Sequence, residues 1–320
     1  MRRRPPRRRM RTAGAVLLAA LVALAGWLIV SDRTSDSPPP AVVAAPPALK
    51  HRAEHVRPTG KAPPPGIELF GAHPIHIRFK HPPRAGLLFD VRTGQALWAW
   101  RPLRRLPIAS LTKIMTAILV VERTRPMGRA RVTHEALAYK GSGVGVLPKG
   151  KRVSVEALLA GMLLPSGNDA AIALADDVAG TKRRFAAVMN KRARAMGLGC
   201  THYVSPDGFS NRNHSCAADL AALARAAIAK PRIARVVRRR QMKVRFPIKT
   251  GRLWLNSTNP LLRMRYPGTI GLKTGSTLRA GHCLVAIARR GGRTLGVVLL
   301  HSPNSGAQAK KLLDRGFRVR

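Results

Sequence analysis

The apolar pattern predicts two β-hairpins, one at each end of the region beyond residue 85. In each, two short apolar runs flank a turn that contains glycine: 86–91 with 95–100, and 283–288 with 294–300. Apolar runs of this length around such a turn are typical of antiparallel strand pairs. The strands of each hairpin are therefore expected to pair with one another.

Helical spacing dominates the region between the two hairpins. Apolar residues recur there every three or four positions, which indicates helices over 110–121, 155–164, 169–179, 183–196 and 217–229, with a last short helix over 307–314. The first of these is apolar on nearly all sides and is expected to be buried. Strands at both ends with helices between them predict an α+β fold in which the terminal strands meet in one antiparallel sheet.

The amino-terminal apolar segment has a different character. Seven arginines lie within residues 1–11, and residues 13–30 carry no charge and are long enough to cross a bilayer as a helix. Positive charge in front of the segment predicts a cytoplasmic amino terminus and an exported remainder. The apolar run continues past the small-residue site Ala23-Leu24-Ala25, which favours an uncleaved anchor over a cleaved signal peptide. A buried soluble helix is the remaining alternative.

These patterns divide the chain into three parts. Residues 1–31 form the basic terminus with its membrane segment. Residues 32–75, rich in proline and alanine, are expected to be a semi-extended linker. Residues 76–320 are expected to fold as one domain.

Charge is spread over the whole chain and is strongly positive. The 320 residues carry a formal charge of +44, and 46 of the 58 basic residues with 11 of the 14 acidic ones lie beyond Gly66, which gives that part +35. Such a surface favours polyanionic partners, namely nucleic acid, an anionic membrane or an anionic wall polymer. Predicted export argues against nucleic acid.

Candidate chemistry begins with Ser110 and Lys113. Residues three apart share one helix face, so the Lys113 amine can reach the Ser110 hydroxyl. A serine hydroxyl becomes a strong nucleophile when a neighbouring base takes its proton, and a helix start favours an oxyanion. An ordinary helix start with a solvated lysine is the alternative.

Two further motifs carry polar groups. In Ser166-Gly167-Asn168, turn-forming residues present a hydroxyl and an amide between two helices, unless these side chains only cap a helix. In Lys273-Thr274-Gly275, which follows the apolar stretch 269–272, a lysine and a hydroxyl can bind a carboxylate, and the glycine allows close approach. A second such triplet, Lys249-Thr250-Gly251, follows Pro247 and is not followed directly by the closing hairpin, so Lys273 is preferred.

The order of the three motifs is typical of penicillin-recognising serine enzymes. Moreover, residues 108–117, 166–171 with Met189-Asn190, 256–262 and 271–275 resemble the low-molecular-mass penicillin-binding proteins, which are serine-type D-alanyl-D-alanine carboxypeptidases. The similarity runs from Gly86 to Phe317. It implies a β-lactamase/transpeptidase-like fold, with an antiparallel sheet and a helical subdomain, placed after the membrane segment and linker.

The resemblance also implies roles for these residues. Ser110 would attack the penultimate D-alanine carbonyl of peptidoglycan stem peptides, with Lys113 as a neutral base whose pKa is lowered by burial and by the Lys273 charge. Ser166 would relay a proton, and Asn168 would orient Lys113 and the substrate amide. The remaining implied roles are carboxylate binding by Lys273 and Thr274, close approach at Gly275, and an oxyanion hole formed by the N–H groups of Ser110 and Ser276.

Several alternatives remain open at this point. A wall endopeptidase of the same family has the same motifs. A β-lactamase is disfavoured, because the chain has no glutamate after Glu156 to act in deacylation, and β-lactams are therefore expected to be covalent inhibitors. A catalytically inactive, basic module that binds the wall or nucleic acid is the non-enzymatic alternative. Separately, the positive charge of the domain suits anionic wall polymers or lipids as partners.

The three cysteines and ten histidines give little further chemistry. Cys200 and Cys216 flank the loop 201–215 and form either a disulfide or two buried thiols, and Cys283 is expected in the core. The histidines are scattered without clustered cysteines, so no metal and no cofactor is expected.

Overall fold

The computed structural model describes residues 66–69, 71 and 73–319, all of which belong to one structural unit, Pro58–Arg320. The expected membrane segment, residues 13–30, and most of the expected linker lie outside these residues. Within the described part, no helix has both the length and the apolar character that a membrane crossing requires.

The three longest strands lie near the carboxyl end of the described chain. The strands are β1 (Ala85–Asp90), β2 (Ala96–Trp100), β3 (Leu106–Pro107), β4 (Arg129–Arg131), β5 (Arg152–Ser154), β6 (His214–Ser215), β7 (Gln241–Arg245), β8 (Arg252–Asn256), β9 (Thr269–Thr277), β10 (Gly281–Arg290) and β11 (Arg293–Ser302). Five of them form one antiparallel sheet in the order β2-β1-β11-β10-β9. The first and last hairpins meet through β1 and β11, where Leu87 lies opposite Val298. The prediction that the terminal strands share one sheet is confirmed.

Helices fill the region between the two hairpins and close the chain. They are α1 (Lys113–Arg123), α2 (His134–Leu137), α3 (Val155–Leu163), α4 (Asn168–Ala179), α5 (Lys182–Ala195), α6 (Ala217–Ile228), α7 (Pro231–Val237), α8 (Pro260–Arg263) and α9 (Ser305–Arg318). All six helices expected from the sequence are present, with ends moved by about one turn at most. As expected, α1 is buried along most of its length.

The five-stranded sheet separates two cores. Successive strand residues point to opposite faces, so Leu87 packs beneath α6 in the core that also contains α1, whereas Leu88 packs beneath α9. The turn that carries Ser110 packs in the first of these cores and against β9, the edge strand. The fold therefore places the helical part, the nucleophile turn and one sheet edge side by side.

The sequence pattern did not indicate the hairpin β7–β8, the short strand pairs β3–β6 and β4–β5, or the helices α2, α7 and α8. The hairpin β7–β8 pairs Gln241 with Asn256 and turns at the second triplet, Lys249-Thr250-Gly251, which is exposed and lies outside the site. Its inward positions, such as Leu255, alternate with arginine and lysine, so the charge obscured the strand pattern. The helix α7 starts at Pro231, a favourable first helical residue.

Part of the expected linker packs on the first hairpin. Ile67 and Leu69 are buried, and Glu68 forms a parallel bridge to Gln95. Arg225 on α6 fixes this strip by donating to the Gly66 carbonyl. The last described residues of the expected linker, from residue 66 onward, therefore contribute to the core of the domain.

Candidate active site

Ser110 lies in a 3-10 turn, residues 109–112, that leads directly into α1. The preceding residue, Ala109, has a φ of 46°, in the left-handed region that residues other than glycine rarely adopt. The edge strand β9 passes so close that a Cβ on Gly275 would lie 2.9 Å from Ile108 O and 3.1 Å from Ser110 N. Glycine at position 275 is therefore required for the sheet edge to reach the nucleophile turn.

Lys113 is fully buried and its amine points at three acceptors. Its Nζ donates to Ser110 Oγ at 3.0 Å, to Asn168 Oδ1 at 2.6 Å and to the Asp207 carbonyl oxygen at 2.5 Å. These three contacts use every donor of an ammonium group. Loss of one proton would leave a nitrogen lone pair that can accept the Ser110 hydroxyl proton.

The second motif joins the two lysines of the site. Ser166 adopts a φ of 70°, and its Oγ accepts a 2.9 Å hydrogen bond from Lys273 Nζ. Asn168, the first residue of α4, bonds Lys113 through Oδ1 and the Lys140 carbonyl through Nδ2, at 2.5 Å. Both side chains are thus engaged with the site, and neither caps α4.

The third motif lies on β9 and is also held by hydrogen bonds. Lys273 is 1% exposed, and its Nζ donates to the Thr274 carbonyl oxygen at 2.9 Å as well as to Ser166. Thr274 Oγ1 shares a 2.6 Å hydrogen bond with Thr258 Oγ1. One residue further, Ser276 Oγ lies 3.3 Å from His282 Nδ1 on the neighbouring strand. The structure therefore brings all eight predicted site residues together.

Two clefts meet at the Ser110 hydroxyl. One, of about 360 Å³, is lined largely by hydroxyl-bearing residues; it includes Ser110, Ser142, Ser166, Thr258, Thr274, Ser276 and Ser305. The other, of about 310 Å³, includes Ser110, Asn168, Phe209, Leu278 and Arg279. Acyl transfer needs space on both sides of the attacked carbonyl, one for the acyl group and one for the leaving group. The two clefts provide that space.

The loop 201–215, which a disulfide closes, forms hydrogen bonds with the turn that carries Ser110 and with the start of α1. Cys200 and Cys216 are bonded to each other across residues 201–215, so the disulfide alternative is the one that the structure shows. Within this loop, the Asp207 carbonyl accepts from Lys113, and Asn213 Nδ2 donates to Thr112 Oγ1 at 3.1 Å. The third cysteine, Cys283, is buried in β10, as expected.

Burial controls the pKa of both lysines. Desolvation lowers the pKa of Lys113 to about 8, although the charges of Asp207 and Asp169 raise it. Desolvation also lowers the pKa of Lys273 well below its ordinary value, and the Lys113 charge lowers it further. The sequence predicts that the Lys273 charge lowers the pKa of Lys113 in addition to burial. This expectation is not met, because the charges that act on Lys113 are those of Asp207 and Asp169, which raise its pKa. By contrast, the Lys113 charge disfavours a proton on Lys273 while Lys113 is protonated.

Four residues of the site were not identified from the sequence. Asp207 and Lys140 contribute their backbone carbonyl oxygens. Every residue has such an oxygen, so a sequence motif does not indicate which ones lie in the site. Asn213 lies in a loop without a recognisable pattern. Thr258 belongs to the segment 256–262, whose resemblance to the family was visible, but no role was assigned to it.

One group of described residues has the proximity of metal ligands. Cys200, Cys216 and Asp219 offer ligand atoms within 4.8 Å of one another. However, the two sulfurs are joined as a disulfide, and Asp219 Oδ2 accepts from Cys200 N and from Thr201 Oγ1. Thiolates are the sulfur ligands of metals, so this group is a structural crosslink.

Comparisons with known proteins agree with the geometry. The family model described as D-alanyl-D-alanine carboxypeptidase, peptidase S11, matches residues 76–304. The chain is 32% identical over 246 residues to the D-alanyl-D-alanine carboxypeptidase DacF of Bacillus subtilis, covering 74% of this chain and 62% of that protein. The chain therefore spans less than two thirds of that relative's length.

Two further similarities extend this result. A D-alanyl-D-alanine endopeptidase of Pseudomonas aeruginosa is 33% identical over 219 residues, covering 64% of this chain and 70% of that protein. The solved structure of a mutant of the Streptomyces K15 DD-transpeptidase superposes with a TM-score of 0.70 at 32% identity. That match covers 76% of this chain and all of the solved one.

Proposed function

The chain belongs to the peptidase S11 family of D-alanyl-D-alanine carboxypeptidases, and from this membership we propose that it removes the terminal D-alanine from peptidoglycan pentapeptide stems. The observation that carries the proposal is the buried amine of Lys113, 3.0 Å from Ser110 Oγ and beside an open cleft. A serine with a deprotonatable amine in hydrogen-bond reach has the arrangement of an activated acyl-transfer nucleophile.

The first step is attack on the carbonyl of the penultimate D-alanine. Ser110 Oγ forms the new bond while neutral Lys113 takes its proton. The C–N bond to the terminal D-alanine breaks, and the leaving amine receives a proton that Ser166, bonded to Lys273, is placed to relay. Water then hydrolyses the acyl-enzyme and regenerates Ser110.

Binding of the terminal carboxylate depends on β9. Thr274 offers its hydroxyl group in the larger cleft, and Lys273 lies buried behind the cleft wall, where its Nζ donates to the lining residue Ser166. A carboxylate close to Lys273 favours the protonated form of that lysine. Repulsion between two charged amines is mutual, so a Lys273 that is protonated beside the bound carboxylate would favour the neutral form of Lys113. Substrate binding thereby prepares the base that the first step needs.

The oxyanion hole follows from the approach of β9 to the nucleophile turn. We assign it to the backbone N–H groups of Ser110 and Ser276; the strand residue before Ser276, Gly275, lies so close to the turn that a Cβ on it would be 3.1 Å from Ser110 N. Backbone donors fixed by a strand and a turn need little reorganisation as charge develops on the carbonyl oxygen.

Purified residues 58–320 and the full chain provide the test of this assignment. Both should release D-alanine from a pentapeptide stem, and fluorescent penicillin should label Ser110 alone. Ser110→Ala should abolish both signals without changing the circular dichroism spectrum. Labelling that maps to another residue would contradict the assignment.

A second candidate function is cleavage of cross-links between stems. It is favoured by the similarity to the Pseudomonas aeruginosa protein named as an endopeptidase. Incubation with cross-linked dimer stems separates the two activities, because only an endopeptidase converts the dimers to monomers. Release of D-alanine from pentapeptide together with intact dimers would support the carboxypeptidase.

The location of the protein is a further part of the proposal. Residues 13–30, outside the described residues, are proposed to anchor the chain in the cell membrane, with the domain on the wall side; cleavage as a signal peptide is the alternative. Amino-terminal sequencing and carbonate extraction of the full chain distinguish the two. The high positive charge supports an association with anionic wall polymers or lipids in the same compartment.

A further inference from the structure

A basic groove lies on the face of the sheet that α9 covers, in a part of the fold separate from Ser110. It has a volume of about 650 Å³ and runs between the outer face of α9 and the segment 76–78. Its lining residues are His76, Ile77, Arg78, Ala307, Lys310, Lys311, Asp314, Arg315 and Arg318. The nucleophile turn belongs to the other core, on the opposite face of the sheet.

The charge of the groove is not balanced by its own acidic group. Asp314 is the one carboxylate among the lining residues, and it forms ion pairs with Lys310 at 2.6 Å and with Arg290 at 3.8 Å. By contrast, Lys311, Arg315 and Arg318 are exposed and form no ion pair within the described part of the chain. These three form what we call the α9 stripe.

The spacing of the α9 stripe aligns its charges. Residues 311, 315 and 318 are four and three positions apart, so they follow one helix face over about 10 Å. Like charges at this spacing repel each other and destabilise the helix slightly. A ligand with several negative charges along its length would relieve that repulsion.

The opposite wall of the groove is fixed. The Ile77 carbonyl accepts a 3.2 Å hydrogen bond from Trp98 Nε1, and Ile75 N donates to the Leu97 carbonyl. Phe79 packs edge-on against Trp98 and lies under Lys311, whose Nζ is 5.6 Å from its ring centroid. The wall therefore holds exposed Arg78 opposite the α9 stripe without relying on the ligand.

We propose that this groove binds a linear phosphodiester polymer that carries no bases, as in a polyol-phosphate chain. Lysine and arginine bind phosphate oxygens through charge-assisted hydrogen bonds, and a concave stripe of them fits a chain better than a flat bilayer. Insertion into a membrane would need exposed apolar side chains, and single-stranded nucleic acid would need aromatic stacking platforms. The groove lining offers no large exposed apolar side chain and no Phe, Tyr or Trp ring. Its apolar members are half-buried Ile77 and small Ala307, and its one aromatic ring is the imidazole of His76.

The inference deepens the proposed association with anionic polymers and is independent of the peptidase chemistry. It is tested with soluble poly(glycerol phosphate) as the probe, by fluorescence anisotropy over 50–300 mM NaCl. The groove variant is Lys311→Gln/Arg315→Gln/Arg318→Gln. The matched control, Arg238→Gln/Arg239→Gln/Arg240→Gln, removes the same charge from another exposed site.

The groove variant should bind the polymer at least tenfold more weakly at low salt. The slope of log affinity against log salt should fall by about 2, because each phosphate contact with a single-stranded polyanion contributes about 0.7 to the slope and three contacts are removed. The control should change affinity by less than about twofold. If both variants lose the same amount of polymer affinity, the polymer is attracted by the total charge of the protein, and the proposal of a groove site is wrong.

Two further binding experiments, with anionic vesicles and with single-stranded DNA, test the alternative ligands. Groove-dependent binding of anionic vesicles without polymer binding, or of single-stranded DNA more tightly than polymer, would also overturn the proposal. Thermal melting confirms that the variants are folded, and Arg315→Glu alone, with an expected loss of several-fold, provides a milder second variant. Ser110→Ala should bind the polymer normally, so failure of the groove and failure of the peptidase give different results.

Discussion

Lys113 Nζ donates a 2.6 Å hydrogen bond to Asn168 Oδ1, while Asn168 Nδ2 donates to the Lys140 carbonyl at 2.5 Å. The second bond fixes the orientation of the amide, so its oxygen always faces the amine. A neutral acceptor at this position holds Lys113 without adding a negative charge, which would raise its pKa. Asn168 therefore holds the Lys113 amine in place without opposing its deprotonation.

Acylation should depend on pH through Lys113. Burial lowers the pKa of Lys113 to about 8, and only the neutral amine can accept the Ser110 proton. The second-order rate constant for penicillin acylation should therefore fall about tenfold per unit below pH 7 and level off above about pH 8.5. Stopped-flow labelling between pH 5.5 and 9.5 measures it. A flat profile over this range would show that Lys113 is not the base.

Replacing Asn168 by aspartate should move that profile. A carboxylate beside Lys113 favours the ammonium form, so the midpoint should rise by about 1–2 pH units. At pH 7 the variant should acylate at least about tenfold more slowly and recover part of the loss at high pH.

Asn168→Ala is the matched control, since it also loses the bond to Lys140 but adds no charge. Its midpoint should not rise. If both variants slow equally with unchanged midpoints, Asn168 acts only in folding or substrate binding.

Thr258 should affect substrate binding through Thr274. Their hydroxyl groups share a 2.6 Å hydrogen bond at the cleft wall, which fixes the direction of the Thr274 hydroxyl. Thr258→Val keeps the side-chain shape but removes the bond, and kcat/KM should fall about fivefold, equivalent to about 1 kcal/mol, mainly through KM.

Thr258→Ser retains the hydroxyl and should restore KM to within about twofold of the original value. Steady-state kinetics with pentapeptide and with a stem ending in an amide test the interpretation. The Thr258→Val defect should be smaller for the amide, which has no carboxylate to bind.

Sequence patterns predicted the helices and strands whose apolar residues follow a single regular spacing. Apolar periodicity identified α1 and the strands around Leu87 and Val298 because both sides of the sheet are buried. It missed β7, where alternate positions such as Lys243 and Arg245 are charged and exposed while the inward residues are few. Local pattern cannot distinguish such a hairpin from a basic loop.

The candidate site shows a similar division. The order of the motifs identified Ser110, Lys113 and Lys273 because these residues act through their side chains, whose identity the sequence gives directly. The contributions of Asp207 and Lys140 come from carbonyl oxygens that only the folded chain brings to the amines. The left-handed backbone at Ala109 was equally invisible, because it is imposed by long-range packing against β9.

β-Lactam adducts should be long-lived. Neither cleft at Ser110 is lined by a carboxylate among the described residues, so the deacylating water has no acidic side chain to activate it. A stoichiometric acyl-enzyme, detected by intact-mass analysis and persisting for many minutes, is the expected result. Rapid hydrolysis of nitrocefin over many turnovers would contradict it.

The disulfide Cys200–Cys216 should stabilise both the fold and the base. It closes a loop with a sequence separation of 16, and in the chain-entropy model a crosslink of this span contributes about 3 kcal/mol. The same loop supplies the Asp207 carbonyl to Lys113 and Asn213 to Thr112. Cys200→Ala/Cys216→Ala should therefore unfold at lower denaturant concentration and also acylate more slowly while still folded.

Cys283→Ala is the control, because it removes a buried free thiol outside the loop. Because Cys283 also lines the larger cleft at Ser110, only its stability is compared, and Cys283→Ala should cost less stability than the double variant. Intact mass with and without reductant should differ by two hydrogens in the original chain and in Cys283→Ala. If the double variant acylates at the original rate after its lower stability is accounted for, the loop holds the fold together but does not position Lys113.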